Sequence, residues 1–424
     1  MHGPLSAVFS PVLPGLAAVL VGALCAASGP EGAVKAERPP DLVWHVEDAA
    51  GEVLSSRAGD EPINPASVVK VATSLWALEK LGPSFRFKTR LFMRGDDLVV
   101  AGGQDPDFQP ENAFLLAAAL EALSVRVVPG RLLVDRSFWM GWEYGQRFKI
   151  ADGSARVRRM AARLRQALDP ERWDADLDRA WNGFAQRRRL DPDRPVRIAV
   201  AGTPGILRQT PAEPPFLLHE SEPVLVALRR FNCYSNNDIQ RFQHPLGPAR
   251  TLQEQLARRW DVPAGALRLE SLSGLGRNRL TPRLVVRLLR DLQRTLLRED
   301  LRVEDVLPVA GCDPGSLNRF TRLTLGVHAR SVVAKSGTLA STDGGILVLA
   351  GLARTARGDL LFCVAAPRSG RRLDAARQAE ESWLTDLIGR FGGSVEGRCA
   401  GPLPYSDGEA RVSAPTPARS AAGW

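Results

Sequence analysis

The stretch PASVVKVATSLWALEKLGP, residues 65–83, decides how this chain folds. Pro65 marks a turn before a helix, because a proline disfavours helical geometry in the residue that precedes it. Apolar residues then recur on several sides, which is typical of a central, buried helix. Gly82 and the proline after it are a stop signal. The pattern therefore predicts a buried helix over 66–81.

Ser67 and Lys70 stand one helical turn apart in this apolar helix. A first-turn serine suits a nucleophile, because backbone N–H groups and the helix dipole favour negative charge there. The chain has 56 Lys and Arg residues together, of which only six are Lys. Arg cannot release its proton at working pH, whereas Lys can. Lys70 is therefore a candidate for proton transfer, although the pair of Ser67 and Lys70 alone is weak evidence for a site.

Two further polar motifs follow in order along the chain. FNCYSNNDIQRF contains Ser235 and Asn237, a hydroxyl and an amide that one loop can direct into a cleft. SVVAKSGTLASTDGG contains the tetrad Lys335, Ser336, Gly337 and Thr338. Either motif alone is weak, but the ordered set of three predicts one site.

The third motif lies in a run of strand-like segments. RSVVAKSGT, GILVLAGLA and LLFCVAAP are rich in β-branched and apolar residues and are separated by turn signals, so they predict three consecutive strands. Lys335 is then expected on an edge strand of the sheet. Gly337 would let a ligand backbone approach that strand closely.

The three motifs together resemble those of the penicillin-recognising serine enzymes. Several longer stretches, among them NPASVVKVATSLWALEKLGP, HESEPVLVALRRFNCYSNN and LPVAGCDPGSLNRF, are similar to the D-alanyl-D-alanine carboxypeptidase/endopeptidase family of low-molecular-mass class C penicillin-binding proteins. The resemblance covers most of residues 40–370. It implies an α/β (α+β) fold, in which an antiparallel sheet is flanked by helices and a smaller domain is inserted.

The resemblance also implies roles for the motif residues. Ser67 would be the acylated nucleophile and Lys70 its base. Ser235 and Asn237 would relay the proton to the leaving group and bind the substrate amide. Lys335 would hold the terminal carboxylate with the help of Ser336, and Gly337 would lie beside the substrate backbone. The backbone N–H groups of Ser67 and Thr338 would form the oxyanion hole. No metal or cofactor is expected, and β-lactams would be inhibitors.

Ser67 and Ser235 are 235 − 67 = 168 residues apart, far more than the compact members of the resembling superfamily need, which implies an insertion between the first two motifs. We expect the peptidase domain at 37–92 and 206–400, an inserted domain at 93–205 and a disordered tail at 401–424. The insertion contains an Arg-rich helical run at about 155–190. Two interpretations of this run stay open, a solvated amphipathic face and an anion-binding patch.

The N-terminus is apolar and interrupted by prolines, which predicts an export signal at 1–27 rather than a membrane span. The mature protein is therefore expected in the periplasm or cell envelope, in solution or peripheral to a membrane. The net charge of +9 alone does not indicate nucleic-acid binding. Beyond Cys25, the cysteines at 233, 312, 363 and 399 allow three pairings, and the apolar setting of Cys363 favours a plain thiol.

Three functions fit these observations. The first is a serine D-Ala-D-Ala carboxypeptidase/endopeptidase that acts on peptidoglycan stem peptides. The second is a serine β-lactamase or esterase on the same core. The third is a non-catalytic module that binds wall peptides. The chemically complete motifs and the family-like stretches favour the first.

Overall fold

The computed structural model describes residues 41–143, 153–263 and 266–414. The export signal predicted at 1–27 lies outside these ranges, as does Cys25. No helix in the described ranges is long and apolar enough to cross a membrane.

The described chain alternates strands and helices. The strands are β1 (Val43–Asp48), β2 (Val53–Arg57), β3 (Lys88–Arg94), β4 (Asp97–Ala101), β5 (Val127–Val128), β6 (Leu132–Val134), β7 (Ala199–Val200), β8 (Gly205–Ile206), β9 (Leu217–Glu220), β10 (Val332–Leu339), β11 (Ile346–Thr355), β12 (Gly358–Pro367) and β13 (Arg411–Ser413). The helices are α1 (Val69–Leu81), α2 (Pro110–Ala122), α3 (Ser154–Leu168), α4 (Ala175–Arg188), α5 (Val224–Cys233), α6 (Gln243–Leu246), α7 (Ala249–Trp260), α8 (Pro282–Leu297), α9 (Thr321–Thr324) and α10 (Leu373–Arg390).

The first sheet has the strand order β10-β11-β12-β1-β2, and every neighbouring pair is antiparallel. Helices α1 and α8 cover one face through side chains such as Val71 and Val285, which share a core with Val348. Helix α10 covers the other face, where Leu384 packs in a core with Phe362. Burial on both faces explains why β11 and β12 are nearly continuous apolar runs. The predicted fold class is confirmed.

The second sheet is mixed, in the order β13-β9-β3-β4-β6-β8. Strands β4, β6 and β8 run parallel to one another, and the remaining pairs are antiparallel. Helices α2, α3 and α4 cover one of its faces with a separate apolar core that includes Phe114, Leu164 and Phe184. Strand β3 of this sheet starts before the predicted insertion, and strands β9 and β13 lie after it. The bounds 93–205 for an inserted domain stay a prediction.

The prediction of a disordered tail from 401 is wrong for residues 401–414. Strand β13 pairs with β9 at the edge of the second sheet. Upstream of it, Arg188 Nε donates to Asp407 Oδ2 at 3.1 Å, and Arg230 donates to the Pro404 carbonyl at 2.8 Å. Strand pairing and charge-assisted hydrogen bonds hold a segment whose composition supplies few apolar anchors. Residues 415–424 lie outside the described ranges.

One of the three possible cysteine pairings is formed. Cys312 and Cys399 make a disulfide that spans 87 residues of sequence. Cys233 and Cys363 are buried free thiols. The prediction of a plain apolar thiol at Cys363 agrees with its place in the core beside α1 and α8.

Candidate active site

Ser67 lies in a tight 3-10 turn, Ala66–Val68, which leads directly into α1. Ala66 has a φ of 47°, in the left-handed region, and its N–H donates to Asn64 Oδ1 at 3.1 Å. This strained turn is held by side-chain contacts, as is common at functional sites. It keeps Ser67 partly exposed at the N-terminal end of a helix that is otherwise buried.

Lys70 is fully buried in the first turn of α1. Its Nζ lies 2.8 Å from Ser67 Oγ, 2.8 Å from Asn237 Oδ1 and 2.6 Å from the Ser273 carbonyl oxygen. A neutral lysine has two N–H groups, which the amide and carbonyl oxygens can accept. Its lone pair is then free to take the proton of the Ser67 hydroxyl.

Burial in the apolar core lowers the pKa of Lys70 well below its ordinary value, and the nearby charge of Lys335 lowers this pKa further. Both effects disfavour the ammonium form. The environment of Lys70 therefore favours what a general base needs, the neutral form of an amine at hydrogen-bond distance from a hydroxyl.

The second motif follows α5 in a sharp turn. Ser235 has a φ of 52°, and its N–H donates to the Asn232 carbonyl at 3.2 Å. The Asn236 side chain turns back and accepts from the N–H of Asp238 at 2.7 Å. This conformation leaves the side chains of Ser235 and Asn237 facing the cleft. There Asn237 Oδ1 accepts a hydrogen bond from Lys70 Nζ.

Lys335 lies on β10, the edge strand of the first sheet, as expected. Its Nζ donates to Ser235 Oγ at 2.9 Å and to the carbonyl of Ser336 at 2.7 Å. Burial lowers the pKa of Lys335 to about 7, and Cys233 opposes this shift. An incoming carboxylate would compensate the buried charge, so the position suits a carboxylate-binding cation.

The rest of the third motif extends along β10. Ser336 is buried, and its Oγ lies 3.1 Å from Ser316 Oγ. A Cβ on Gly337 would lie 3.0 Å from the Ser67 nitrogen, so only glycine lets the strand approach the nucleophile this closely. Thr338 is exposed one residue further on. The structure therefore brings all three motifs to one cleft between α1, the Ser235 turn and the sheet edge.

Sequence reasoning assigned no role to the segment SLSGLG, residues 271–276, whose backbone contacts Lys70 and Ala66. Besides the Ser273 carbonyl, this segment supplies Gly274, whose φ is +88° and where a Cβ would lie 1.9 Å from the Ala66 oxygen. The signal was a glycine in a segment rich in Ser and Gly, which marks a close backbone approach but does not identify the partner.

Gln240 was also missed as a supporting residue. Its Oε1 accepts from the N–H groups of Leu272 and Ser273 at 2.8 and 3.2 Å. The residues that follow the second motif are Asp238, Ile239 and Gln240. The glutamine fixes the backbone that contacts Lys70.

The segments before α2 and before α3 make hydrogen bonds with the residues that follow the second motif. Arg241 is buried and donates to the carbonyls of Pro106 and Gly141 at 3.1 and 2.9 Å. The N–H of Glu143 donates to Asp238 Oδ2 at 2.9 Å. These contacts tie residues of the predicted insertion to the loop that carries Ser235.

Within the described ranges, no group of three or more His, Cys, Asp or Glu side chains could hold a metal ion.

Known proteins resemble this chain in sequence and in fold. A family model described as the D-Ala-D-Ala carboxypeptidase 3 (S13) family matches residues 42–157 and 198–387. Over 102 residues, 22% of this chain, the sequence is 37% identical to a D-alanyl-D-alanine carboxypeptidase of Actinomadura sp. (strain R39). The aligned part spans 19% of that relative's length.

Two solved structures share the fold over nearly their whole length. The predatory endopeptidase Bd3459 of Bdellovibrio bacteriovorus, in complex with immunity protein Bd3460, has a TM-score of 0.72 at 21% identity, covering 88% of this chain and 100% of that one. Penicillin binding protein 4 of Haemophilus influenzae has a TM-score of 0.56 at 16% identity, covering 81% of this chain and 96% of that one.

Proposed function

This chain belongs to the D-Ala-D-Ala carboxypeptidase 3 (S13) family, and from that premise we propose that it is a serine peptidase that cleaves D-alanyl bonds in peptidoglycan stem peptides. One observation carries the proposal. Lys70 Nζ, in a site that lowers its pKa, lies within hydrogen-bond distance of both Ser67 Oγ and Asn237 Oδ1.

The reaction begins with acylation. Lys70 takes the proton of the Ser67 hydroxyl while Oγ attacks the carbonyl carbon of the penultimate D-alanine. The backbone N–H groups of Ser67 and Thr338 are assigned to the oxyanion, where losing one such donor typically costs about 3 kcal/mol. The C–N bond then breaks, and the proton passes through Ser235 to the departing amine. Water later hydrolyses the ester and regenerates Ser67.

Substrate recognition is assigned to the edge strand. Lys335 in its charged form would bind the terminal carboxylate, assisted by Ser336, and Gly337 would let the peptide backbone lie beside β10. Asn237 would bind the substrate amide. A β-lactam carries a carboxylate and an activated amide in a similar arrangement, so it should acylate the same serine.

Related proteins support this assignment. One structure of Bd3459 is described as penicillin G acylated, and Bd3459 is described as a peptidoglycan endopeptidase. The Actinomadura relative is a D-alanyl-D-alanine carboxypeptidase. We propose that this protein is exported and acts in the periplasm or cell envelope, where such substrates are found.

The test is covalent labelling. The purified protein is incubated with a fluorescent penicillin, and the adduct is located by intact-protein and peptide mass spectrometry. We expect an adduct on Ser67 that lasts for minutes or longer and is absent from Ser67→Ala. Rapid release of hydrolysed drug would favour a β-lactamase, and the absence of any adduct would favour a non-catalytic binding module.

A further inference from the structure

A basic groove lies against the second sheet, in a part of the chain for which the proposed mechanism has no use. Its volume is about 1160 Å³, and it is lined by β3, β6, the start of α3 and the segment after β8. Five lining residues are arginines: Arg94, Arg131, Arg136, Arg158 and Arg208. We call this surface the arginine groove.

The charge of the arginine groove is poorly balanced. Asp135 is its only acidic lining residue, and that carboxylate accepts from the N–H groups of Gly102 and Ser137. Arg131 is paired with Asp97 at 3.0 Å. Three further arginines of the lining, Arg94, Arg158 and Arg208, are exposed. These three make no ion pair with any residue in the described ranges.

Several guanidinium groups around one concave surface repel each other unless an anion lies between them. The guanidinium fork matches phosphate and carboxylate oxygens. The groove is much larger than one phosphate, and its arginines are exposed rather than fixed around a single point. A flat bilayer could not reach the lining of a concave surface. These features fit a chain of repeated anionic groups.

We propose that the arginine groove binds a linear polyanion that bears phosphate or carboxylate groups along its length. Such a chain neutralises several arginines at once and releases the counterions around it. The proposal concerns binding alone, and it does not depend on the acylation of Ser67.

The experiment uses the full protein and two fluorescent probes, linear polyphosphate and poly-L-glutamate, with binding followed by anisotropy. The groove variant is Arg94→Gln/Arg158→Gln/Arg208→Gln. The control is Arg179→Gln/Arg194→Gln/Arg250→Gln, whose side chains are 73%, 86% and 84% exposed outside the groove. Both variants lose the same net charge, and the far-UV circular dichroism spectrum and the urea-unfolding midpoint of each variant check that it is folded.

We expect the wild-type protein to bind at least one probe and the groove variant to bind it at least tenfold more weakly, with the control within twofold of wild type. The slope of log affinity against log salt should fall by about two for the three lost contacts. The comparison of probes distinguishes phosphate from carboxylate as the preferred group. Equal loss in both variants, equal affinity for inorganic phosphate, or tighter binding to anionic phospholipid vesicles would each overturn the proposal.

Discussion

Lys70 and Lys335 are both completely buried, and the charge of Lys335 adds to the larger effect of burial in lowering the pKa of Lys70. Each Nζ also lies beside a serine hydroxyl, that of Ser67 for Lys70 and that of Ser235 for Lys335. Two lysines in one cleft can therefore perform opposite tasks, one as a neutral base and one as a bound cation.

Replacing each lysine by arginine should separate these tasks. Lys70→Arg puts a permanently charged guanidinium in place of the amine and cannot accept a proton, so penicillin acylation should fall by roughly 10²–10⁴-fold. Lys335→Arg can still bind a carboxylate and should lose much less. The measurement is the acylation rate constant of each variant. Equal and small losses would show that the two roles are wrongly assigned.

The pH dependence of acylation should be bell-shaped. Lys70 must lose its proton, so the rate rises with pH through its lowered pKa. Lys335 must keep its proton, so the rate falls as pH passes its pKa of about 7. The second-order rate constant for acylation reports these groups in the free enzyme. In Lys335→Arg the falling limb should disappear, because arginine stays charged. If the falling limb persisted in this variant, it would have to come from the titration of another group.

Gly337 should be intolerant of a methyl group. A Cβ there would lie 2.8 Å from the Pro65 oxygen and 3.0 Å from the Ser67 nitrogen. Gly337→Ala should therefore move the turn that carries Ser67 and reduce acylation at least tenfold. Gly389→Ala is the matched control, because it lies in α10 with no atom within 4 Å of an added Cβ. The control should keep full acylation and gain up to about 1 kcal/mol of stability.

The disulfide between Cys312 and Cys399 should stabilise the fold. The bond closes a loop that spans 87 residues of sequence. Such a link lowers the conformational entropy of the unfolded chain and typically raises the free energy of unfolding by about 2–4 kcal/mol. Cys399→Ser should lower the free energy of urea unfolding by about that amount. Reducing agent should destabilise the wild type and leave the variant unchanged. Identical unfolding midpoints for oxidised wild type and variant would contradict the prediction.

The sequence predicted the helix of Ser67, the three strands around Lys335 and the order of the motifs, because apolar periodicity and turn residues are local signals. It could not predict contacts made between distant backbones. The Ser273 carbonyl and the close approach of Gly274 to Ala66 depend on tertiary packing. The ordered segment at 401–414 depends on Arg188 and Arg230, whose partners no local pattern identifies.

Replacing Gln240 tests whether contacts outside the three motifs position Lys70. Its side chain accepts from the N–H groups of Leu272 and Ser273, and the Ser273 carbonyl accepts from Lys70. Gln240→Ala frees both N–H groups and should let the carbonyl drift from Lys70, which lowers acylation at least tenfold. Gln243→Ala is the control, because the one hydrogen bond of its side chain within the described ranges is accepted from Gln240 Nε2 at 3.0 Å. It should acylate like the wild type.

Gln240→Glu separates a role in orienting Lys70 from a general loss of structure. A glutamate still accepts from both N–H groups, so the backbone at Ser273 stays in place. Its negative charge should raise the pKa of Lys70, since a nearby opposite charge favours the ammonium form. The rising limb of the acylation profile should therefore move to higher pH, with near-normal rates above it. If Gln240→Ala and Gln240→Glu both kept the wild-type profile, Gln240 would have no part in positioning the base.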